Sequence, residues 1–296
     1  MLSIVLTFCD KDFYLLEKNL KNISDNVKIK HEVILVDNRV NNTEDIPCKE
    51  LYNLVLKFDN KSNFSRYKAV DYANGERLWF IDSDDSILKI SNVFEKYLYY
   101  SETIIEFSYY KEDSINKESF ALWNKWLKTS ICKKVFSLFL DLEIYNNEDI
   151  FITRALLKIN NSYQFINEPI YIYNYKNSAY YNIIENYNFD NFKKMYGNYK
   201  NLKKAFSNIN DLKDFYYCVS LCFCSFFAVQ ENNKNINIDE CFCFVFNQLE
   251  KQDIICTCAF LNNGNKKMVL HYYKKFTDQT KLSWVTTPMS GVHYTK

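Results

Sequence analysis

Two apolar runs near the start of the chain each end in a carboxylate, and this pairing restricts the fold more than any other feature. HEVILVDN at residues 31–38 ends in Asp37 and Asn38, and RLWFID at residues 77–82 ends in Asp82. Uninterrupted apolar runs of this length are typical of strands buried on both faces, as in a parallel or mixed sheet covered by helices. Open α/β sheets bind ligands at the carboxyl ends of their strands, so we expect a ligand site there.

The first 82 residues alternate between strand and helix patterns. SIVLTF (3–8) predicts the first strand, and residues 12–23 then carry apolar side chains at helical spacing. NLVLKF (53–58) predicts the third strand, and YKAVDYAN (67–74) predicts a short helix before the fourth. This order is typical of an α/β nucleotide-binding half. Neither GxGxxG nor GxxxxGK[ST] follows a strand, which excludes the usual dinucleotide and P-loop phosphate sites.

The composition of the chain argues against several classes of protein. A formal net charge of +1 over 296 residues gives no electrostatic footprint for nucleic acid. The amino terminus has neither a basic leader nor an apolar run long enough to span a bilayer, so we expect a cytoplasmic protein. Ten cysteines occur without a CxxC pair, which favours buried reduced thiols over zinc ligands. The clustered cysteines are Cys222 with Cys224, Cys241 with Cys243, and Cys256 with Cys258.

The fourth strand runs into three carboxylates within four positions, Asp82, Asp84 and Asp85, with Ser83 between the first two. Such close like charges repel one another unless a cation, water or hydrogen-bond donors compensate them. Two aspartates flanking one residue suit a hard divalent cation such as Mg²⁺ or Mn²⁺. The alternative, left open by the residues alone, is that SDDSI caps and opens a helix.

Two further regions have open interpretations. In NNED, Glu148 and Asp149 suit the start of a helix as capping residues, and equally suit a catalytic carboxylate. Beyond residue 186 the chain becomes helical and aromatic, without a motif of known chemistry. Lysines interleaved with aromatic residues near the end predict either a solvated helix face or contact with anionic lipid headgroups. They are Lys266, Lys267, Lys274 and Lys275, among Tyr272, Tyr273 and Phe276.

Seven segments, in order, resemble the motifs of inverting glycosyltransferases of family 2, which have the GT-A fold, and especially the bacterial enzymes that build surface polysaccharides. The segments are SIVLTFCD, VILVDN, NFSRYKAV, WFIDSDD, WNKWL, NNEDIFITRALL and EPIYIYNYKNS. The resemblance implies an α/β fold: a GT-A (Rossmann-like) mixed sheet flanked by helices. Residues 1–185 would form this catalytic domain, and residues 186–296 a helical C-terminal subdomain that shapes the acceptor side, packs on it or oligomerises.

The resemblance also implies roles for individual residues. Asp149 would be the general base that deprotonates the acceptor hydroxyl, with Glu148 beside it. Asp82 and Asp84 would hold Mn²⁺ or Mg²⁺ against the donor diphosphate. The donor-binding residues would be Thr7, Phe8, Asp37, Asn63, Arg66, Asp82, Ser83 and Ser178.

The function implied is that of a metal-dependent hexosyltransferase, or a related sugar transferase, with a UDP-linked donor. The acceptor would be a surface glycan, such as capsule or lipooligosaccharide, or a lipid-linked glycan. We leave open a peripheral contact with the inner face of the cell membrane and a homo-oligomer. Two alternatives remain: a nucleotidyltransferase with a related α/β core, and a catalytically inactive glycosyltransferase-like binding subunit. The opening turn lacks the family's usual proline, and the loop before Arg66 lacks its glycines.

Overall fold

The protein is described here from a computed structural model. It covers residues 1–40, 44–58, 65–117, 119, 121–139, 148–160, 162–174, 189–232 and 237–277. The predicted site residues Asn63 and Ser178 lie outside these described residues, as does the predicted domain boundary at residues 185 and 186.

The described strands form one nine-stranded mixed sheet. They are β1 (Leu2–Phe8), β2 (His31–Asp37), β3 (Leu54–Lys57), β4 (Arg77–Asp82), β5 (Ser86–Ile87), β6 (Ile104–Lys111), β7 (Ser114–Asn116), β8 (Lys125–Lys128) and β9 (Tyr163–Tyr173). Their order is β3-β2-β1-β4-β8-β6-β9-β5, with β7 on the side of β6. The first four are parallel, whereas β8 runs antiparallel to both β4 and β6.

Helices cover the sheet and make up most of the described part beyond residue 189. They are α1 (Leu16–Asn26), α2 (Ser65–Lys68), α3 (Thr129–Phe136), α4 (Glu148–Asn160), α5 (Phe189–Tyr196), α6 (Tyr199–Asn208), α7 (Leu212–Asn232), α8 (Ile238–Phe246), α9 (Lys251–Cys258) and α10 (Asn263–Thr277). Four 3₁₀ segments lie at Asp10–Leu15, Lys49–Leu51, Ala69–Tyr72 and Asn92–Tyr99. No helix among the described residues is both long and apolar enough to cross a membrane.

Alternate residues of β1 belong to two separate cores, because successive side chains of a strand point to opposite faces of a sheet. Ile4 and Leu6 pack with Leu20 of α1 in one core. Val5 belongs to the other, which extends continuously to Phe151 of α4 and Phe242 of α8. The C-terminal helices therefore share a core with one face of the sheet. The prediction of two domains, with its roles for each, stays a prediction.

All ten cysteines are free, and each of the three predicted clusters has one buried and one half-buried thiol. The acidic triplet does not open a helix. The Asp85 N–H instead donates to the Asp82 carbonyl at 3.2 Å, which forms a turn into β5. The helix-opening alternative for SDDSI is therefore wrong, and the carboxylates lie on a tight turn at the end of a central strand.

Candidate active site

Four predicted site residues lie together because parallel strands bring their carboxyl ends to one edge of the sheet. In the pairing of β1 with β4, Thr7 lies opposite Asp82. In the pairing of β1 with β2, Phe8 lies opposite Asp37. Phe8 is buried and packs in the hydrophobic core at this edge, whereas Thr7 is half-buried between the two acidic strand ends.

The Asp37 carboxylate is buried in an ion pair with Arg39. Arg39 donates to Asp37 through its N–H (3.1 Å) and Nε (3.0 Å) on Oδ1, and through Nη2 (2.9 Å) on Oδ2. Lys57 Nζ lies 3.4 Å from the same carboxylate. The Arg39 guanidinium also lies over the Phe13 ring, 4.0 Å from its centroid. Although burial opposes ionisation, the hydrogen bonds from Arg39 and the Lys57 charge lower the pKa of Asp37.

Asp85 is also occupied, by strand β9. The Tyr171 hydroxyl donates to Asp85 Oδ2 at 2.8 Å and accepts from the Asp82 N–H at 3.1 Å. The Asn174 N–H donates to Asp85 Oδ1 at 2.6 Å. Ser83 is buried, and its carbonyl accepts from the Asn19 side chain of α1. These contacts fix the turn on both sides, so the positions of Asp82 and Asp84 are set by the backbone.

Asp84 differs from its neighbours because its carboxylate has no hydrogen bond or ion pair with the side chain of any described residue, and only its own backbone N–H donates to it. It is half-buried on the same turn as Asp82. Burial and the neighbouring Asp82 charge raise the pKa of Asp84 to about 6. A carboxylate whose pKa is raised and which no described side chain neutralises suits a hard cation as its partner. Within the described part of the chain, no cluster of three or more His, Cys, Asp or Glu side chains completes a metal site.

Arg66 connects the strand end to helix α4. Its Nη1 donates to Asp82 Oδ1 at 3.1 Å, and its Nη2 donates to Glu148 Oε1 at 2.9 Å. Burial and the nearby Asp149 charge raise the pKa of Glu148 to about 7, although Arg66 opposes this shift. Burial likewise raises the pKa of Asp82 despite Arg66. One guanidinium therefore holds two carboxylates that are distant in sequence.

Asp149 is half-buried in the first turn of α4, where carboxylates are favoured by the helix dipole. Its Oδ1 accepts from the Tyr67 hydroxyl at 3.0 Å. Its Oδ2 accepts from the Leu122 N–H at 3.4 Å. These two hydrogen bonds hold the Asp149 carboxylate next to Glu148. Because Arg66 links Glu148 to Asp82 at the end of β4, Asp149 belongs to the same site.

The WNKWL segment supports this arrangement from inside the protein. Lys125 is 1 % exposed and donates through Nζ to Glu106 Oε1 at 3.0 Å. Nζ also donates to the carbonyls of Ser119 (2.5 Å) and Ala121 (2.7 Å). These bonds hold the backbone immediately before Leu122, whose N–H contacts Asp149. Burying a charge is costly unless it is paired, and Glu106 is the charged partner of Lys125. The bonds from Lys125 to the two carbonyls then fix this loop.

Sequence reasoning missed three residues that build this site, Arg39, Tyr67 and Tyr171. The DxR spacing in VDNR, Asp37 with Arg39, was a local signal for a carboxylate already neutralised. Tyr67 follows Arg66 directly, but nothing in the sequence indicated that Asp149 is its partner. Tyr171 had no signal beyond its place in the EPIYIYNYKNS segment, because its contacts depend on how β9 docks.

The sheet, its flanking helices and the helical C-terminal part together define the Rossmann-like fold of glycosyltransferases, as predicted. The chain is similar in structure to TarS of S. aureus, a GT-A-like glycosyltransferase, residues 1–349 of which were solved in complex with UDP-GlcNAc. The TM-score is 0.68 at 14% sequence identity, over 94% of this chain and 88% of that one.

Two other TarS structures support the same likeness. A longer TarS chain gives a TM-score of 0.64 at 13% identity, over 94% of this chain and 53% of its own length. TarS 1–349 in complex with UDP gives a TM-score of 0.51 at 14% identity, over 93% of this chain and 91% of that one. At the level of sequence, neither a protein-family model nor a curated protein matches the chain. At these identities the likeness is one of fold.

Proposed function

We propose that this protein is a metal-dependent, inverting glycosyltransferase of family 2 that transfers a sugar from a UDP-linked donor to a surface glycan or lipid-linked glycan. The observation that carries the proposal is the contact chain from Asp82 through Arg66 to Glu148, with Asp149 next to Glu148. It joins a strand end suited to a nucleotide diphosphate with a carboxylate suited to deprotonate an acceptor.

The donor would bind along the carboxyl edge of β1, β2 and β4. Asp84 and Asp82 would hold Mn²⁺ or Mg²⁺, since both offer the oxygen ligands that these ions prefer. When bound, the ion would supply charge neutralisation to the diphosphate leaving group. Arg66, which lies against Asp82, would add a second positive charge on this side of the site.

Asp149 is the better base of the two acids on α4. Glu148 is 4 % exposed and already accepts from Arg66, so its carboxylate is occupied in positioning. Asp149 is half-buried and accepts only neutral donors, Tyr67 and Leu122, within the described part of the chain. As the acceptor oxygen bonds to C1 of the sugar, its proton would pass to Asp149 and the bond from C1 to UDP would break. Attack opposite the leaving group inverts the anomeric carbon.

The UDP-linked donor is supported by the fold likeness to TarS, which was solved with UDP-GlcNAc and with UDP. We further propose a cytoplasmic location, with the C-terminal helices on the acceptor side. Contact with the membrane would involve the lysine-rich face of α10.

A binding experiment tests the class of protein directly. The melting temperature is measured with UDP, UDP-GlcNAc and ADP-glucose, each with Mn²⁺ and with EDTA. A ligand at 100 times its Kd adds about 2.7 kcal/mol to the free energy of unfolding, so a shift is readily detected. We expect stabilisation by UDP and UDP-GlcNAc with Mn²⁺ only. If no nucleotide shifts the melting temperature in either condition, the proposal is wrong.

The products separate the transferase from its alternatives. The transferase releases UDP from UDP-GlcNAc, with the transferred sugar in inverted configuration by NMR. A nucleotidyltransferase would instead form or consume pyrophosphate, and an inactive binding subunit would bind donor without cleaving it.

A further inference from the structure

We infer that Tyr67 is the positioning residue for the proposed base: its hydroxyl, held on a buried ring, fixes the Asp149 carboxylate where it can accept the proton of the attacking acceptor hydroxyl. This inference rests on the proposed function. The hydroxyl lies 3.0 Å from Asp149 Oδ1 and 3.4 Å from Glu148 Oε1. Since Glu148 already accepts from Arg66 at 2.9 Å, the shorter Tyr67 bond goes to the carboxylate that accepts no hydrogen bond from a charged side chain among the described residues.

The ring that carries this hydroxyl cannot move freely. Tyr67 is 1 % exposed. Its centroid lies 5.7 Å from that of Phe80 on β4, edge to face, and 5.0 Å from that of Phe136 on α3. Aromatic contacts of this kind add to the burial of the ring and fix its orientation. The hydroxyl is therefore placed by the sheet and α3, while the carboxylate it binds belongs to α4.

The hydroxyl donates, and the carboxylate accepts. Burial raises the pKa of Tyr67 well above its usual value, and the charges of Asp149 and Glu148 act in the same direction, against Arg66. Tyr67 therefore keeps its proton at neutral pH. A carboxylate that accepts at Oδ1 from Tyr67 and at Oδ2 from the Leu122 N–H is held against rotation about its last bond. Each oxygen retains a second lone pair, which leaves the carboxylate able to accept the acceptor's proton.

Positioning matters because proton transfer requires the base within hydrogen-bond distance of the attacking hydroxyl. A displacement of about 1 Å in an active site can lower the rate about 100-fold. Loss of one neutral hydrogen bond from a base that keeps its second donor is a smaller perturbation. We expect Tyr67→Phe to lower kcat about tenfold, equal to about 1.4 kcal/mol.

The test uses the full chain and UDP-GlcNAc with Mn²⁺, with water as the acceptor. In this hydrolysis the water oxygen bonds to C1, the bond from C1 to UDP breaks, and the water proton passes to Asp149. Release of UDP gives kcat and the KM for the donor. Tyr67→Phe keeps the ring and deletes only the hydroxyl, so we expect a lower kcat with an unchanged donor KM. A general disturbance of Arg66 and the donor site would instead raise the donor KM.

Tyr216→Phe is the matched control. The Tyr216 hydroxyl donates to Asp253 Oδ1 at 3.1 Å between α7 and α9, so the same atom is removed from the same kind of bond. We expect its kcat to equal that of the wild type. A double substitution then tests whether Tyr67 acts through Asp149. In the Asp149→Asn background, Tyr67→Phe should cause no further loss, because coupled residues are non-additive.

The outcomes separate this inference from the function on which it rests. If Asp149→Asn loses activity while Tyr67→Phe turns over normally, the inference is wrong and the function stands. A Tyr67→Phe loss that is fully additive with Asp149→Asn also rejects it, since Tyr67 would then act elsewhere. If the wild-type chain cleaves no nucleotide sugar, both the function and the inference fall.

Discussion

The strands β2 and β4 end alike in sequence but differently in structure. Asp37 at the end of β2 is closed off: its side chain is 0% exposed and pairs with Arg39 and Lys57. At the end of β4, Asp82 pairs with Arg66 but keeps 34% of its side chain exposed, and Asp84 beyond it is half-buried with no side-chain partner among the described residues. The pKa of Asp37 is lowered, whereas that of Asp84 is raised to about 6.

This difference indicates that the carboxylates along one edge of the sheet have different roles. A carboxylate saturated by the protein's own cations stabilises the fold and holds a loop. A carboxylate that experiences repulsion and burial, and that no described side chain neutralises, has binding capacity for a cation. Asp37 therefore fits a structural role, and its predicted part in donor binding stays a prediction, whereas the β4 end and Asp149 fit binding and chemistry. The following predictions test this difference in roles.

The largest effect is expected at Asp149, one of the carboxylates that fit binding and chemistry. Removal of a general base lowers the rate about 100- to 10,000-fold, so Asp149→Asn should lose kcat by a factor in that range. Binding of UDP-GlcNAc should survive, because Asp149 would act on the acceptor. Steady-state kinetics and donor titration check both expectations. Near-normal turnover, or a product that retains the donor's anomeric configuration, would contradict the assignment.

Asp37→Asn should act on stability rather than on chemistry. It leaves Arg39, whose side chain is 3% exposed, without its charged partner. Breaking a buried ion pair on one side costs about 3 to 5 kcal/mol, and we expect a loss near the lower value because Asn still accepts one hydrogen bond. Urea denaturation measures it. Glu17→Gln, which removes the exposed pair with Lys21, is the control and should leave the midpoint unchanged. An Asp37→Asn protein of normal stability would remove the contrast between the two strand ends.

Asp84→Asn should behave in the opposite way. Loss of a hydrogen-bonded partner of a metal ligand already lowers metal affinity about 10- to 100-fold, so loss of a ligand should weaken Mn²⁺-dependent UDP binding by about 100-fold. Stability without metal should not fall, since the substitution removes repulsion with Asp82. Isothermal titration with and without EDTA measures the first effect and urea denaturation the second. If UDP binds equally well in both proteins and in EDTA, the metal proposal is wrong.

The smallest effect is a pair of opposite pH dependences. Because the pKa of Asp37 is lowered on folding, its contribution is present above the usual value of 3.8 and is lost as pH falls through the folded pKa. The pKa of Glu148 rises from 4.5 to about 7, so the folded state binds more protons in that window and stability falls as pH increases across it. Asp37→Asn should remove the acid loss, and Glu148→Gln should flatten the fall between these values. Urea midpoints at a series of pH values measure both effects. If both variants changed stability in the same pH range, the contrast would be contradicted.

Local patterns predicted most of the framework. The predicted strands at 3–8, 31–38, 53–58 and 77–82 correspond to β1 to β4 within one residue, because buried parallel strands are short apolar runs with clear ends. The short strands β5, β7 and β8 had no such signal. The predicted helix at 12–23 begins as a 3₁₀ segment and becomes α-helical only at Leu16. The expected position of the carboxylates at one sheet edge followed from parallel pairing alone.

The sequence by itself determined the fold class, the strand ends and the acidic residues available for chemistry, since these depend on neighbouring residues and on periodicity. Only the tertiary structure decided which of those acids are occupied. Arg66 meets Glu148 across 82 positions of sequence, and Tyr171 meets Asp85 across 86. Such contacts depend on how α4 and β9 dock on the sheet. A carboxylate's pKa and role depend on the burial and partners that docking provides, and these are not encoded by the residue's own segment.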